Sequence, residues 1–484
     1  MVDLASARYG GEVVWCNDEF FAPVSNLISP AAPVWKEGEF TEHGKWMDGW
    51  ETRRRRDEGH DSCVIRLGLP GIVQSVTVDT SYFTGNYPES FSLEACGVPP
   101  ERLDEAEWVE IVGRTPLQGD SVATFEVSDP HRVTHVRFNI YPDGGVARLR
   151  IEGTPIPSRD RVCPDRGPID LAEATLGGRC VEASDAHFSS PANLVSPSQP
   201  EGMWDGWETA RRRGPGHDWA VVDLGLPGTV EAVDVDTRFF KGNAPGWVQL
   251  EAHRDGDWVP VCDRVAVEAD AVNPLELPRP VRTDRLRLNI FPDGGVARLR
   301  VWGRPEPEAV AAVRMRYLDS LFPQDARAFF ATACAAAVWI EAMVAGRPFG
   351  RPGRVMQAAD EAFGRLEPDD WRQAFAAHPR IGERHGSQTR DGEAMSHSEQ
   401  SGVDPSAVDT LAALQEVNRL YEEKFGFTYI VRAAGRTADE MLEMARARLE
   451  NDLEEEIRVA ADQQKQITLL RLRRMLCLPE EDQG

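Results

Sequence analysis

The sequence predicts two all-β jelly-roll repeats followed by an all-α domain, on three observations. First, residues 141–150 return at residues 291–300 with only the leading Tyr changed to Phe, and such a match marks an internal duplication. Second, the apolar runs around these segments are short, alternating and broken by Gly, Pro, Asn and Asp, which is typical of a β-sandwich. Third, the chain beyond residue 308 becomes rich in Ala, Leu and Arg with apolar residues at helical spacing.

Further landmarks extend the duplication over almost the whole first part of the chain. They are Gly-Trp-Glu-Thr at 49–52 and 206–209, Gly-His-Asp at 59–61 and 216–218, Leu-Gly-Leu-Pro-Gly at 67–71 and 224–228, and Asp-Thr-x-x-Phe-x-Gly-Asn at 79–86 and 236–243. A double-sheet jelly roll suits a repeat of this size. Each copy ends in a proline-rich segment that interrupts regular secondary structure. The predicted domains are therefore residues 1–157, 158–308 and 309–484.

Local signals predict individual elements within these domains. Pro-Asp-Gly-Gly is a turn sequence, and the Val-Ala-Arg-Leu-Arg that follows alternates like a half-buried strand. In the third domain, apolar residues between 408 and 421 recur at helical intervals. Thr437 and Glu440 form a capping-box pattern that starts a helix running through Arg448. A long charged helix is expected from about residue 451 to residue 476.

Composition limits the compartment and the partners. The formal net charge of −25 disfavours nucleic acid, because phosphate binding needs a basic face. None of the eight cysteines forms a Cys-x-x-Cys pair, so neither a zinc site nor a disulfide framework is indicated. The start has no signal-peptide pattern, and no apolar run reaches membrane-spanning length. We expect a cytoplasmic protein with no membrane partner, a homo-oligomer, that acts on small molecules.

A charged cluster repeats in both β copies. Each copy has Trp-Glu-Thr, then a run of arginines, then His-Asp. The planar guanidinium group of arginine can form paired hydrogen bonds with carboxylates and ureido oxygens. A His–Asp pair is suited to proton transfer. The expected site residues are, as catalytic groups, His60 and His217, and, as substrate-binding groups, Glu51, Arg54, Arg148, Glu208 and Arg298. The alternatives are a solvated basic stretch and, for the two repeated arginines, a purely structural role.

Two questions about this cluster stay open. His60 with Asp61, or His217 with Asp218, could ligate a metal, but two neighbours in one loop are more often a hydrogen-bonded pair. We therefore assign no metal ligand. Ala210 stands where the first copy has Arg53, which favours the first copy as the active one, although the site could need both.

The repeated elements resemble allantoicase (allantoate amidinohydrolase) over about residues 3–305. The resemblance rests on Gly-Trp-Glu-Thr-x-Arg-Arg, Gly-His-Asp, Asp-Thr-x-x-Phe-x-Gly-Asn and Pro-Asp-Gly-Gly-Val-Ala-Arg-Leu-Arg. It implies two galactose-binding-like jelly rolls that hydrolyse allantoate to ureidoglycolate and urea. Whether that part needs a metal is unknown from the sequence.

Two short motifs stand out in the third domain. His378-Pro379 ends a helical stretch, and a histidine at such a place is most often a C-terminal cap. Ser396-x-x-Glu399-Gln400 could be an ordinary capping box. Each motif alone therefore has a structural explanation.

Together the two motifs resemble 2-oxo-4-hydroxy-4-carboxy-5-ureidoimidazoline (OHCU) decarboxylase, an enzyme of urate degradation in purine metabolism. Further matching pieces are Asn418-x-x-Tyr421, Lys424-Phe-Gly-Phe, Ile430-Val431 and Arg471-Leu472. The resemblance implies an all-helical domain without a cofactor. It implies proton transfer by His378 with Glu399 as its acid/base partner, and substrate contacts from Pro379, Ser396, Gln400, Arg471 and the backbone of Val431, Arg432 and Gly435. A histidine with an ordinary pKa would suit this role at neutral pH.

The sequence therefore predicts a bifunctional enzyme of ureide catabolism. One part would hydrolyse allantoate and the other would decarboxylate OHCU to (S)-allantoin. The alternative is a pair of carbohydrate-binding jelly rolls attached to a helical decarboxylase domain. Such modules usually present aromatic residues around a sugar cleft, whereas the duplicated polar residues here are Arg, Glu, His and Asp, which favour anion chemistry.

Overall fold

The computed structural model describes residues 1–162, 167–378, 408–434 and 436–478. The chain divides into two compact units, Met1–Phe322 and Pro323–Gly484. The first unit holds both β copies and the second holds most of the helices, so the predicted order of two all-β repeats and a helical domain is confirmed. No helix in the described ranges is long and apolar enough to cross a membrane.

The first copy contains twelve strands. They are β1 Val2–Asp3, β2 Glu12–Cys16, β3 Phe40–Thr41, β4 Gly44–Lys45, β5 Trp50–Glu51, β6 Asp61–Asp79, β7 Ser90–Cys96, β8 Val109–Pro116, β9 Val122–Glu126, β10 Arg132–Tyr141, β11 Gly145–Val146 and β12 Arg148–Pro155. The main path runs β1-β12-β6-β10-β7-β8, with β2 and β9 also paired to β6. All these pairs are antiparallel, as a jelly roll requires.

The second copy repeats this topology with ten strands. They are β13 Ile169–Asp170, β14 Arg179–Ala183, β15 Trp207–Glu208, β16 Asp218–Asp236, β17 Trp247–Arg254, β18 Asp257–Pro260, β19 Val265–Ala266, β20 Val272–Phe291, β21 Gly295–Val296 and β22 Arg298–Pro305. Its path is β13-β22-β16-β20-β17-β18, the counterpart of the first. The β3–β4 hairpin of the first copy lies in a segment that the second copy lacks.

The strand β6 is continuous where the sequence suggests two short strands. Its first part pairs with β2 and β10, and its second part pairs with β9 and β12. The repeated Leu-Gly-Leu-Pro-Gly lies within the strand where these two parts meet. A Cβ on Gly68 would lie 2.6 Å from the Tyr9 carbonyl oxygen, and one on Gly71 would lie 2.3 Å from the Thr154 carbonyl oxygen. These glycines let β6 pass from one sheet to the other at a crowded corner.

Aromatic side chains fill the space between the sheets. Trp50, Phe91 and Phe138 are fully buried, and the ring of Phe138 lies against both of the others. The indole nitrogen of Trp50 donates a hydrogen bond of 2.8 Å to the Asp18 carbonyl oxygen, which satisfies its polar group inside the core. Because Glu51 follows Trp50 in an extended strand, its side chain points away from this core.

The helix α1, Pro307–Asp319, packs on the β unit. Val310 and Val313 join the β core, and the guanidinium group of Arg314 donates to the Val162 carbonyl oxygen at 2.6 Å. The ring of Phe322 stacks on His131 at 4.5 Å. The predicted boundary at residue 308 therefore differs from the boundary of the compact units, because composition shows where helices begin but not what they pack against.

The second unit contains seven further helices in its described part. They are α2 Pro323–Ala333, α3 Ala337–Ala345, α4 Pro352–Phe363, α5 Pro368–Ala376, α6 Val408–Phe425, α7 Ala438–Arg448 and α8 Leu453–Met475. The predicted capping box is confirmed, since the Thr437 hydroxyl accepts the Glu440 amide and the Glu440 carboxylate accepts the Thr437 amide. The long charged helix is also confirmed as α8, with Asp452 as its N-cap.

We predict that cutting the chain after Phe322 leaves a more stable β part than cutting it after Glu308. Each buried Val or Phe contributes about 1.5–3 kcal/mol, and the shorter fragment loses Val310, Val313 and Phe322 together. Thermal melts of fragments 1–322 and 1–308 should show a lower midpoint for the shorter one. Equal midpoints would place α1 outside the β unit.

Candidate functional sites

The strand β5 brings Glu51 to the edge of the first sandwich. This two-residue strand pairs with β11, placing Glu51 opposite Gly145. The amide nitrogen of Asn86 donates to a carboxylate oxygen of Glu51 at 2.7 Å. The second copy has the same pair, since Asn243 donates to Glu208. The duplication thus preserves a carboxyl–carboxamide pair, of which the sequence prediction had only the carboxyl.

Glu51 and Asn86 line a cavity of about 500 Å³ in the first copy. Trp35, Lys45, Tyr82 and Asp120 are also among the residues that line it. Burial raises the pKa of the Glu51 carboxyl, and the hydrogen bond from Asn86 partly opposes that shift. A carboxyl group with a raised pKa exchanges protons closer to neutral pH, which suits it to general acid–base chemistry.

A strained aromatic residue borders the same cavity. Tyr82 has φ of 72°, a conformation that bulky residues rarely adopt. Its backbone N–H donates to the Asp120 carboxylate at 2.8 Å. Phe239 of the second copy has φ of 70° and the same bond to Asp270. Such strain persists where surrounding contacts enforce it and clusters at functional sites.

The structure does not pair His60 with Asp61. Asp61 is buried and accepts hydrogen bonds from Arg55 and Asn17, whereas the exposed ring of His60 lies against Tyr141 at 4.7 Å. Their side chains diverge because successive residues of an extended chain point to opposite faces. The two side chains therefore do not pair with each other in the first copy, and the catalytic role predicted for His60 stays a prediction.

The second copy behaves in the same way. Asp218 accepts from Arg212 and from the hydroxyl of Ser184, and a ring nitrogen of His217 is 3.2 Å from the Asn289 side-chain oxygen. As for Arg54, its side chain is exposed on the loop that follows β5. Neither His60 nor Arg54 is among the residues that line the Glu51 cavity.

Arg148 and Arg298 are buried structural residues, with 2% and 1% of their surface exposed. The Arg148 guanidinium donates to the Ala31 carbonyl oxygen at 2.9 Å and to the Asp48 carboxylate at 2.9 Å. Arg298 makes the equivalent bonds to the Ser198 carbonyl oxygen and the Asp205 carboxylate, at 3.0 and 2.7 Å. The two guanidinium groups, which were expected to bind substrate, thus donate their hydrogen bonds to acceptors within the protein. The geometry therefore favours a structural role for both arginines.

In the helical unit, His378 follows the end of α5 and lies near Arg471 of α8. Burial of the ring and the Arg471 cation lower the pKa of His378 to about 3, while a hydrogen bond with Gln464 acts in the opposite direction. This lowered pKa differs from the ordinary value expected from the sequence and favours a neutral imidazole at pH 7. This interaction brings together His378 and Arg471, two residues to which the resemblance assigns roles at the same site.

The segment after α6 is fixed by a buried ion pair. Arg448 donates to the Glu456 carboxylate at 2.7 Å and to the Ile430 carbonyl oxygen at 2.8 Å, and Glu456 has no exposed surface. Next to Ile430, Val431 is buried and the Arg432 N–H donates to the Gln463 side chain at 3.1 Å. That amide is thus bonded within the protein and is not directed at a ligand.

The remaining predicted site residues lie outside the described residues. These are Pro379, Ser396, Glu399, Gln400 and Gly435. Their predicted roles stay predictions. Within the described ranges, no group of three His, Cys, Asp or Glu side chains is arranged to hold a metal ion.

Several groups that the structure brings to these sites were missed in the sequence. Asn86 is part of the repeated Phe-x-Gly-Asn, so its recurrence at Asn243 was an available signal. Lys45 and Trp35 come from a segment present in only one copy, and a search based on repetition passes over it. Gln464 sits on α8 with no local motif that would have marked it.

The structure thus combines a duplicated β-sandwich, whose first copy has a carboxyl-bearing cavity, with a helical unit in which His378 lies near Arg471. A family model of the allantoicase repeat matches residues 2–156 and 169–306, and one of OHCU decarboxylase matches residues 319–473. The chain belongs to the allantoicase family and carries an OHCU decarboxylase domain. It is a bifunctional hydrolase and decarboxylase of ureide catabolism, as the sequence predicted.

Individual relatives support this assignment. The chain is 46% identical over 327 residues to a probable allantoicase of Pseudomonas aeruginosa, covering 63% of this chain and 96% of that protein. It is 45% identical over 320 residues to a probable allantoicase of Photobacterium profundum, covering 62% and 96%. The crystal structure of Saccharomyces cerevisiae allantoicase matches with a TM-score of 0.54 at 36% identity, covering 62% of this chain and 92% of that one.

We predict that Arg148→Met and Arg298→Met destabilise the first unit by about 3–5 kcal/mol each, since each removes the cationic partner of a carboxylate largely shielded from solvent, Asp205 more fully than Asp48. Urea denaturation of the intact chain, followed by tryptophan fluorescence, measures the loss. Arg54→Met is the matched control, because that side chain is exposed. Unchanged stability in Arg148→Met would refute the structural role.

A second prediction concerns pH. The lowered pKa of His378 means that the folded unit binds fewer protons than the unfolded chain between about pH 6.5 and pH 3. The free energy of unfolding that the neutral imidazole contributes is therefore complete above about pH 6.5 and is lost as the pH falls towards about 3. Between pH 7.5 and 5.5 the melting midpoint of the helical unit should therefore fall more in the wild type than in His378→Asn. Parallel declines would contradict a neutral buried imidazole.

Proposed function

We propose that the chain hydrolyses allantoate to ureidoglycolate and urea in the Glu51 cavity of the first copy, and decarboxylates OHCU to (S)-allantoin beside His378. The observation that carries the first assignment is a carboxyl group with a raised pKa, held by a carboxamide in a cavity. The second assignment rests on a neutral imidazole next to a cation. The names and family matches of the relatives supply the two substrates.

Glu51 would serve the hydrolysis by moving one proton. Allantoate has two ureido groups on the carbon that bears its carboxylate. The water oxygen bonds to this carbon, the C–N bond to one ureido group breaks, and that nitrogen leaves with the bond's electron pair. The Glu51 carboxylate accepts a proton from the water and the resulting carboxyl delivers it to the departing nitrogen, which releases urea. Proton transfer of this kind contributes typically 10²–10⁴-fold.

Asn86 would keep the Glu51 carboxyl in place for this exchange. Its amide nitrogen bonds one carboxylate oxygen and leaves the other oxygen to reach the water and the leaving nitrogen. A side chain whose rotamer is fixed by a neighbour loses less entropy when the substrate arrives. The pair thus combines a proton carrier with a positioning group.

In the helical unit, His378 would act first as a base. A neutral imidazole accepts the proton of the substrate hydroxyl. The C–C bond to the carboxylate then breaks, CO2 leaves, and the electron pair enters the ring system until a proton is returned to carbon. Binding of the anionic substrate would offset the Arg471 cation, which removes one of the causes that depress the His378 pKa. The proposed reaction uses protein groups alone.

The carbohydrate-binding alternative has less support. The family match covers both β copies and names a hydrolase repeat. The cavity of the first copy also places a carboxyl, a carboxamide and an ammonium group together. This set suits an anion with ureido groups better than a neutral sugar.

We predict that Glu51→Gln lowers urea release from allantoate by about 10²-fold or more, because the amide cannot carry the proton. Glu208→Gln is the matched variant in the second copy and should keep most of the activity. A colorimetric urea assay measures both. Full activity in Glu51→Gln would remove the cavity from the mechanism.

His378→Asn should abolish decarboxylation of freshly prepared OHCU while leaving urea release intact.

A further inference from the structure

The two copies differ in one segment that reaches the proposed site. Residues 31–47 of the first copy correspond to the shorter residues 198–204 of the second, between the repeated Ser-Pro and Asp-Gly-Trp-Glu. The longer segment forms the β3–β4 hairpin. It supplies Trp35 and Lys45 to the wall of the Glu51 cavity. The cavity of the first copy is therefore partly built by side chains that the shorter segment of the second copy does not provide.

Lys45 is held in this wall by an aromatic ring. Its ammonium nitrogen lies 3.9 Å from the centre of the Trp35 ring, within the range of a cation–π interaction. The Trp35 ring in turn lies 5.7 Å from that of Tyr82. In the described part of the chain, no carboxylate forms an ion pair with Lys45. Its charge is thus available to a ligand.

A second lysine of the same segment shows the contrast. Lys36 also lies over a tryptophan, with its nitrogen 4.5 Å from the Trp46 ring, but it is 3.7 Å from the Glu39 carboxylate. Lys36 is not among the residues that line the cavity. Both lysines lie in the segment 31–47 and contact a tryptophan ring. Of the two, only Lys45 lines the cavity with a charge that no carboxylate pairs in the described residues.

We propose that Lys45 binds the carboxylate of the substrate and determines the preference of this site for anions. The proposal rests on the function proposed for the Glu51 cavity. Allantoate carries one formal charge, on its carboxylate, and the chain's net charge of −25 repels it, so the attraction must be local. Asp120 also lines the cavity, and one of its oxygens is bonded to the Tyr82 N–H. That leaves Lys45 as the cation of the lining residues.

The second copy lacks this cation. Counting back from the shared Asp-Gly-Trp-Glu, Gly202 stands where the first copy has Lys45. The second copy keeps the Glu208–Asn243 pair and the strained Phe239. In its shorter segment, the side chain of Trp204 is 69% exposed to solvent. Lys241 of the second copy stands at the position of the cavity-lining Thr84, but its ammonium nitrogen is 3.8 Å from the Asp270 carboxylate and is therefore paired. The second copy keeps the carboxyl–carboxamide pair without an unpaired lysine at the position of Lys45, and this difference makes the two copies unequal.

Steady-state urea release from allantoate by the full-length chain tests the proposal. Lys45→Met should lower kcat/KM by roughly 10- to 100-fold, the loss expected for one charge-assisted hydrogen bond, mainly through KM. Lys45→Arg should restore most of the activity, and Lys36→Met should match the wild type. A neutral analogue with two ureido groups on a methylene carbon, used as an inhibitor, should bind the wild type and Lys45→Met equally.

Three results would overturn it. Lys45→Met could behave like Lys36→Met, or it could lose the neutral analogue as strongly as allantoate, which would indicate a damaged cavity and not a lost charge contact. Glu51→Gln is assayed in parallel to separate the two proposals. If Glu51→Gln is inactive and Lys45→Met is normal, only the role of Lys45 fails. If Glu51→Gln is fully active, the site itself is misplaced and both proposals fail.

Discussion

The architecture of the β unit depends on one buried arginine in each copy. Arg148 bonds the Ala31 carbonyl oxygen and the Asp48 carboxylate, so it holds both ends of the segment that runs between them against β12. Arg298 holds Ser198 and Asp205 in the same way. A buried guanidinium is tolerated only when its hydrogen bonds are satisfied inside the protein. The requirement to satisfy it fixes where the segment leaves the sandwich and where it returns.

These fixed ends allow the segment between them to vary. The first copy carries a longer segment with a hairpin and the second a short one, yet the strand that follows starts with Trp-Glu at the same place in both. The indole nitrogens of Trp50 and Trp207 donate to equivalent carbonyl oxygens, each at 2.8 Å. Glu51 and Glu208 therefore keep one position relative to the sandwich, while the walls around them differ. A change of substrate preference needs no change in the core.

The sequence predicted well those features that depend on near neighbours. The capping box at Thr437 and the bounds of α8 follow from residues a few positions apart, and the duplication is visible by direct comparison. The repeated arginines were assigned to substrate because a charge kept in both copies suggested function. Their partners lie about a hundred residues away in sequence, so nothing local showed that they are buried.

Other differences also have identifiable physical causes. The His60–Asp61 pair was expected from adjacency, but adjacency in an extended chain separates side chains onto opposite faces. Glu51 could be predicted because it repeats, whereas Lys45 does not repeat and so carries no such signal in the sequence. The burial that lowers the pKa of His378 depends on tertiary packing and has no signature in the motif His378-Pro379.

The same reasoning connects burial to chemistry in the helical unit. The Arg448–Glu456 pair fixes Ile430 and the segment after it against α8, and α8 also carries Arg471 to the neighbourhood of His378. Burial of the His378 ring is the larger cause of its lowered pKa, and the Arg471 cation adds to it. The helix that is anchored by the buried ion pair therefore also carries the cation that is one of the two causes favouring a neutral imidazole.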